Sequence, residues 1–322
     1  MTLKIGRQGY LGLGIESQAG TAVPATTAVP FVTNSLLGKH NPQEDIAARG
    51  SRAQNYTSII GKQWSEGEVD VNLDLTNAGF FLKLALGNEV LSNPATGVYD
   101  HLFYTTVSGN NPLTATLYNY TGLDVQQFAS MAVDKLDLDV KDTFMVAKAS
   151  FKGFFPTSGA YSATTVSGSL VNFGKYNLKL GSTLALAEVA TATPVTEFSL
   201  SINNNAEVVF ESGKSTASRV FWKQFKVTGS FTKYFESVSE RDSYLNLVKS
   251  SMILTASGVN LVSGYNEELK INIAKMVYND QSLATGLENY FAVKTNFTAE
   301  VDVTQGKQFD MTLRNTRDSV YT

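Results

Sequence analysis

Strict alternation of apolar and polar residues constrains this chain more than any other feature. In residues 67–75, GEVDVNLDL, the side chains of Val69, Val71, Leu73 and Leu75 fall on one side of an extended backbone. Those of Glu68, Asp70, Asn72 and Asp74 fall on the other. A helix would scatter both sets around its circumference, so the segment reads as a half-buried strand. Residues 133–140, VDKLDLDV, repeat the pattern, with Leu136, Leu138 and Val140 inward and Lys135, Asp137 and Asp139 outward. Further strands are expected over 144–154, 177–180, 197–202, 225–235, 269–276, 290–303 and 309–313. Only 77–86, NAGFFLKLAL, and 239–249, SERDSYLNLVK, read as helical. Ser239 is the expected cap of the second, and Asp242 lies near its positive end. The chain is therefore expected to be mainly β, with one short helix in each half.

A duplication runs under this pattern. Residues 63–75, QWSEGEVDVNLDL, and 224–235, QFKVTGSFTKYF, each place Gln and a large aromatic before a Gly and a strand that leads into a helix. Gly67 and Gly229 stand 162 residues apart. A second match sets VAKASF at 146–151 against AVKTNF at 292–297, with Lys148 and Lys294 separated by 146. At 322 residues the chain exceeds the usual size of one domain. The polar, Gly-containing stretch at 156–168, PTSGAYSATTVSG, marks the boundary between domains at 1–157 and 158–322. Residues 38–65 read as a long irregular loop in which His40, Glu44, Asp45, Arg49, Arg52 and Lys62 gather charge of both signs. A loop of that length is expected to bind something.

Catalytic chemistry finds little support. His40 and His101 are the only histidines and cysteine is absent, which excludes a multi-histidine metal centre and a thiolate nucleophile. Neither histidine sits in a catalytic motif, so both are expected to be structural. Gly9, Gly12 and Gly14 lack phosphate-loop spacing and open a strand. Asp137, Asp139 and Asp142 lack the turn glycine of a calcium loop and read as solvated carboxylates. No catalytic residue, cofactor or metal is expected. A net charge of −3 disfavours tight nucleic-acid binding. The opening MTLKIGRQGYLGLG lacks the apolar core of a secretory signal, and no run of apolar residues is long enough to cross a membrane as a helix, so a soluble product is expected.

The order of motifs carries a resemblance. IGRQGYLGLGIESQAGTAV (5–23), VPFV (29–32) and ARGSR (48–52) precede EGEVDVNLDLTNAGFFLKLALG (66–87), with TEFSLSINN (196–204) and VTGSF (227–231) following. This series resembles the major tail tube proteins of long-tailed bacteriophages, in the class with two tandem tube domains. The resemblance implies two β-sandwich or barrel-like domains, the first with an N-terminal arm. Three such chains would form a ring with pseudo-sixfold symmetry. Stacked rings would form a hollow tube through which DNA passes without specific binding. It also implies tape-measure and tail-terminator proteins as partners, and a place in the virion after synthesis in the host cytoplasm. On this reading Glu68, Asp70, Asp74, Asp137 and Asp139 are expected to face the lumen, because a like-charged wall does not hold phosphates. The 38–65 segment, with His40, Glu44, Asp45, Arg49 and Arg52, is the expected ring-stacking contact. The alternatives are a decoration or baseplate protein, a monomeric β-sandwich binding module, and a hydrolase built around His40 or His101.

Overall fold

The computed structural model describes residues 6–105, 112–140, 143–161, 168–235, 238–284, 291–303 and 306–322. In the first half, β1 (Tyr10–Ile15) and β2 (Thr27–Val29) are followed by β3 (Thr33–Asn34) and β4 (Leu37–Asp45). These two continue one register along β5 (Thr57–Asn72). β5 leads into α1 (Ala78–Leu86). The hairpin β6 (Asn88–Ala95) and β7 (Val98–Tyr104) comes next, then β8 (Ala115–Tyr120), β9 (Val125–Val140), β10 (Val146–Gly153) and the short β11 (Thr157–Ser158). The second half runs through β12 (Tyr176–Gly181), α2 (Leu184–Val189), β13 (Glu197–Asn203), β14 (Glu207–Val209), β15 (Arg219–Phe221) and β16 (Lys226–Tyr234). It ends with α3 (Ser239–Leu245), β17 (Ser250–Val262), β18 (Tyr265–Ala284), β19 (Ala292–Ala299) and β20 (Phe309–Asn315).

The mainly β architecture follows from the alternation. Along β10 every second side chain is buried, Ala147, Ala149 and Phe151 among them, and β13 does the same with Phe198, Leu200 and Ile202. α1 follows a short turn after Asn72 ends the strand, and its run Phe80, Phe81, Leu82, Leu84 and Leu86 is buried almost all round. Two details of the helices differ from expectation. Val238, not Ser239, stands at the N-cap of α3 and makes no side-chain cap bond. A further helix, α2, is capped by Thr183, whose hydroxyl accepts from the Leu186 N–H. Six residues are too few to show a helical period in the sequence.

Both halves repeat one pattern of pairing. A leading strand lies beside the first strand of a hairpin, β1 with β8 and β12 with β17. The hairpin's second strand is long, 16 residues in β9 and 20 in β18, and its far end pairs with the next strand, β10 or β19. That strand in turn pairs with the one that precedes the helix, β5 before α1 or β16 before α3. The two sequence matches fall into one register: Gly67 lies opposite Phe151, and Gly229 lies opposite Phe297. A bulge recurs at the same place, leaving Asp134 unmatched in β9 and Asn279 unmatched in β18. Close approach explains both glycines, since a Cβ would stand 2.6 Å from the Ser35 carbonyl oxygen at Gly67 and 2.5 Å from that of Ser199 at Gly229.

The halves are joined through the backbone. β13 pairs with β16 on one edge and with β9 on the other, setting Leu200 opposite Leu138 and Ile202 opposite Leu136. A second join sets β7 against β20, with His101 opposite Leu313. The ladder therefore runs β4–β5–β10–β9–β13–β16–β19–β18, and one contiguous buried cluster draws on both halves.

Candidate functional site

Three surfaces could carry a function: the polar face of this ladder, the hairpin that extends from its end, and the ladder's edges. On the polar face, Lys148 of β10 lies opposite Asp70 of β5 and Asp137 of β9, while Ser150 lies opposite Glu68 and Lys135. The Lys148 ammonium is 2.6 Å from Glu68 Oε2. It holds the Glu68 carboxyl below its ordinary pKa, and Glu68 raises that of Lys148 in return. Lys135 stands 2.8 Å from Asp137, and Lys152 stands 3.1 Å from Asp134. The four carboxylates Glu68, Asp70, Asp137 and Asp139 thus share one face, as the alternation predicts, but the face also carries lysines that pair with part of them. Ser199, Ser201, Thr228 and Thr298 extend it into the second half.

Asp74 does not belong to this group. β5 stops at Asn72, and Asp74 is buried at the start of α1. Its Oδ1 accepts from the Thr76 N–H at 2.9 Å and the Asn77 N–H at 2.7 Å, and its Oδ2 accepts from Asn77 Nδ2 at 2.9 Å. The competing demand is the helix terminus, whose first N–H groups need acceptors. Asp142 lies outside the described residues.

The 38–65 segment is not irregular. β4 and β5 form a hairpin whose paired part reaches Asp45 and Thr57, with a turn at 46–56. His40, Glu44, Arg49 and Arg52 are exposed along it. Asp45 bonds the Arg49 guanidinium, which keeps its carboxyl below the ordinary value, and Arg49 also stands 4.5 Å over the Tyr56 ring. The hairpin escapes sequence analysis because both its faces meet solvent for most of its length. Without a core on one side, alternation has no cause. Ile46, Ile59 and Ile60 are each more than 60% exposed there.

The histidines are separate. His40 is on the hairpin, while His101 is buried in β7, its Nδ1 2.7 Å from Glu89 Oε1 and its Nε2 3.0 Å from the Arg317 carbonyl oxygen. Glu89 also accepts from the Tyr321 N–H at 3.0 Å, so this cluster fastens the C-terminal segment to the first half. Each ring nitrogen of His101 already has a protein partner, an arrangement that suits a structural role.

The ladder's edges complete the picture. Among the described residues, no strand pairs with the outer edge of β3 and β4, nor with the second edge of residues 279–284 of β18. Such edges are templates for another strand. At the internal join, sequence reasoning missed Asn204 and Trp222, which bond across to the first half from the connection between β13 and β16, where the sequence carries no periodic signal. A family model described as phage tail tube protein matches residues 6–303. No curated protein matches the chain at a significant level.

Proposed function

The chain belongs to the phage tail tube protein family, a structural component of the virion tail, and from that premise we propose that it assembles with copies of itself into rings that stack as the hollow tail tube. One observation carries this reading: the chain joins its own repeated halves by pairing β13 with β9, and leaves the counterpart edges, β3–β4 and the far end of β18, at the two ends of the ladder. The same join made between chains is heterologous, and it closes into a ring when the rotation per chain divides a full turn. Each chain supplies two tube domains, 1–157 and 158–322, so three chains give pseudo-sixfold symmetry.

In this assembly the face with Glu68, Asp70, Asp137 and Asp139 lines the lumen. Ion pairs with Lys148 and Lys135 leave it no basic field to hold passing phosphates. The hairpin turn with Glu44, Asp45, Arg49 and Arg52 meets the next ring, and tape-measure and tail-terminator proteins cap and gauge the tube. No catalytic role is proposed. The test is negative-stain electron microscopy of the purified protein across a concentration series. Hollow rings or tubes with threefold or sixfold end views are expected. Particles that remain monomeric throughout would overturn the reading.

A further inference from the structure

The join inside the chain involves more than two strands. After β13, the chain turns over the end of α1 and fills the space beside β9. The Asn204 N–H donates to the Asp134 carbonyl oxygen at 2.8 Å, and Asn204 Nδ2 donates to the carbonyl oxygens of Ala85 and Val133 at 3.0 and 3.2 Å. The Ala206 N–H donates to Asp134 Oδ1 at 2.6 Å. Trp222 lies against Gly87 and donates from Nε1 to the Val133 carbonyl oxygen at 3.0 Å, with only 9% of its surface left exposed.

The repeat carries this site into the second half. The 162-residue spacing of the glycines takes Ala85 to Leu247 and Gly87 to Lys249, and the shared bulge takes Asp134 to Asn279. Leu245, Leu247, Lys249, Val277 and Asn279 line an open groove of about 610 Å³ there. Leu245 and Leu247 are 67% and 63% exposed. Leu138, covered by β13, is fully buried, whereas its counterpart in register, Leu283, is 52% exposed. Among the described residues, the second half thus holds an empty copy of a site that the first half has filled.

We propose that this groove, with the adjoining edge of β18, is the socket for the base of the β4–β5 hairpin of a second copy of this chain. The same repeat identifies that occupant. The segment that fills the first site connects β13 to β16, and its counterpart connects β3 to β5, which is the hairpin. Ile59 and Ile60 stand, to within one residue, where Phe221 and Trp222 stand, and both are over 60% exposed. Lys39 lies opposite Trp64 as Asn203 lies opposite Lys226, while Asp280 pairs with Asn296 as Lys135 pairs with Ser150. Since Asn203 faces Lys135 within the chain, Lys39 faces Asp280 between chains, with charges of opposite sign. The pairing rests on the ring reading and names its contact: the hairpin's base acts sideways within a ring, and only its turn is left for the ring above.

The chain has no cysteine, so a variant carrying Lys39→Cys and Asp280→Cys reports the contact without background. Under mild oxidation it should give covalent dimers and trimers, whereas each single variant should give no ladder of multimers. Lys39→Glu and Asp280→Lys, both on the surface, should each raise the concentration needed for assembly by about tenfold, and together should restore it. Wild-type rings seen by electron microscopy without the covalent ladder, and with Leu247→Glu assembling normally, would overturn the socket and leave the ring reading intact. Wild-type protein that stays monomeric would overturn both.

Discussion

Asp74 satisfies three donors at once, two backbone N–H groups at the start of α1 and the side chain of Asn77. Replacing it with Ala leaves those buried donors without acceptors, which should cost about 1–3 kcal/mol, read as a lower urea midpoint with unchanged slope. Glu68→Ala, exposed on the polar face, should stay within about 0.5 kcal/mol, since its ion pair with Lys148 is open to solvent. Equal effects from the two would refute the assignment of Asp74 to the helix. The two residues belong to one alternating run, and nothing local in the sequence separates them. What separates them is where the strand stops: Asn72 is its last residue, and the chain then turns so that Asp74 meets the helix it precedes.

At the scale of elements, the β4–β5 hairpin and α1 stand at opposite extremes. α1 lies under the ladder with nearly every side chain buried, and an apolar run broken only by Lys83 announces it. The hairpin protrudes and buries little. Deleting residues 42–56 removes the turn and the outer pairs but keeps those from Leu37–Glu66 to His40–Gln63. The variant should therefore melt close to the wild-type temperature by circular dichroism, yet fail to form tubes in the electron microscope. Normal tubes from it would remove the turn and the outer part of the hairpin from assembly, while a large fall in melting temperature would show that this part supports the fold. The strands legible in the sequence, such as β10 and β13, are those with one face on the core. β6, with exposed or half-exposed side chains throughout, lacks that face and leaves no alternation in the sequence.

Across the whole molecule, the halves share a ladder at β9–β13 and again at β7–β20. The C-terminal segment adds a third tie. Tyr321 is buried against Phe80 and His101, its hydroxyl donates to the Thr76 carbonyl oxygen at 2.8 Å, and Asn315 Nδ2 donates to that hydroxyl at 2.9 Å. Burial pushes the Tyr321 phenol well above its ordinary pKa, against the opposing pull of the Asn315 hydrogen bond, so it remains a neutral donor. Two halves tied in this way should unfold together. Scanning calorimetry of the unassembled chain should give a single transition, and two resolved transitions would show that the halves are independent.

Alternation by itself determined that the chain is a mainly β protein, which residues face its core and where the repeat falls. A side chain records in its polarity whether it meets core or solvent, and a duplicated segment keeps that record. Tertiary structure decided the rest. The partner of β13, the capping role of Asp74, the extension of the hairpin and the filling of one site by Asn204 and Trp222 while its counterpart stays open all depend on contacts between segments far apart in the chain. Such contacts follow from how the two halves are placed against each other, and no local period encodes that placement.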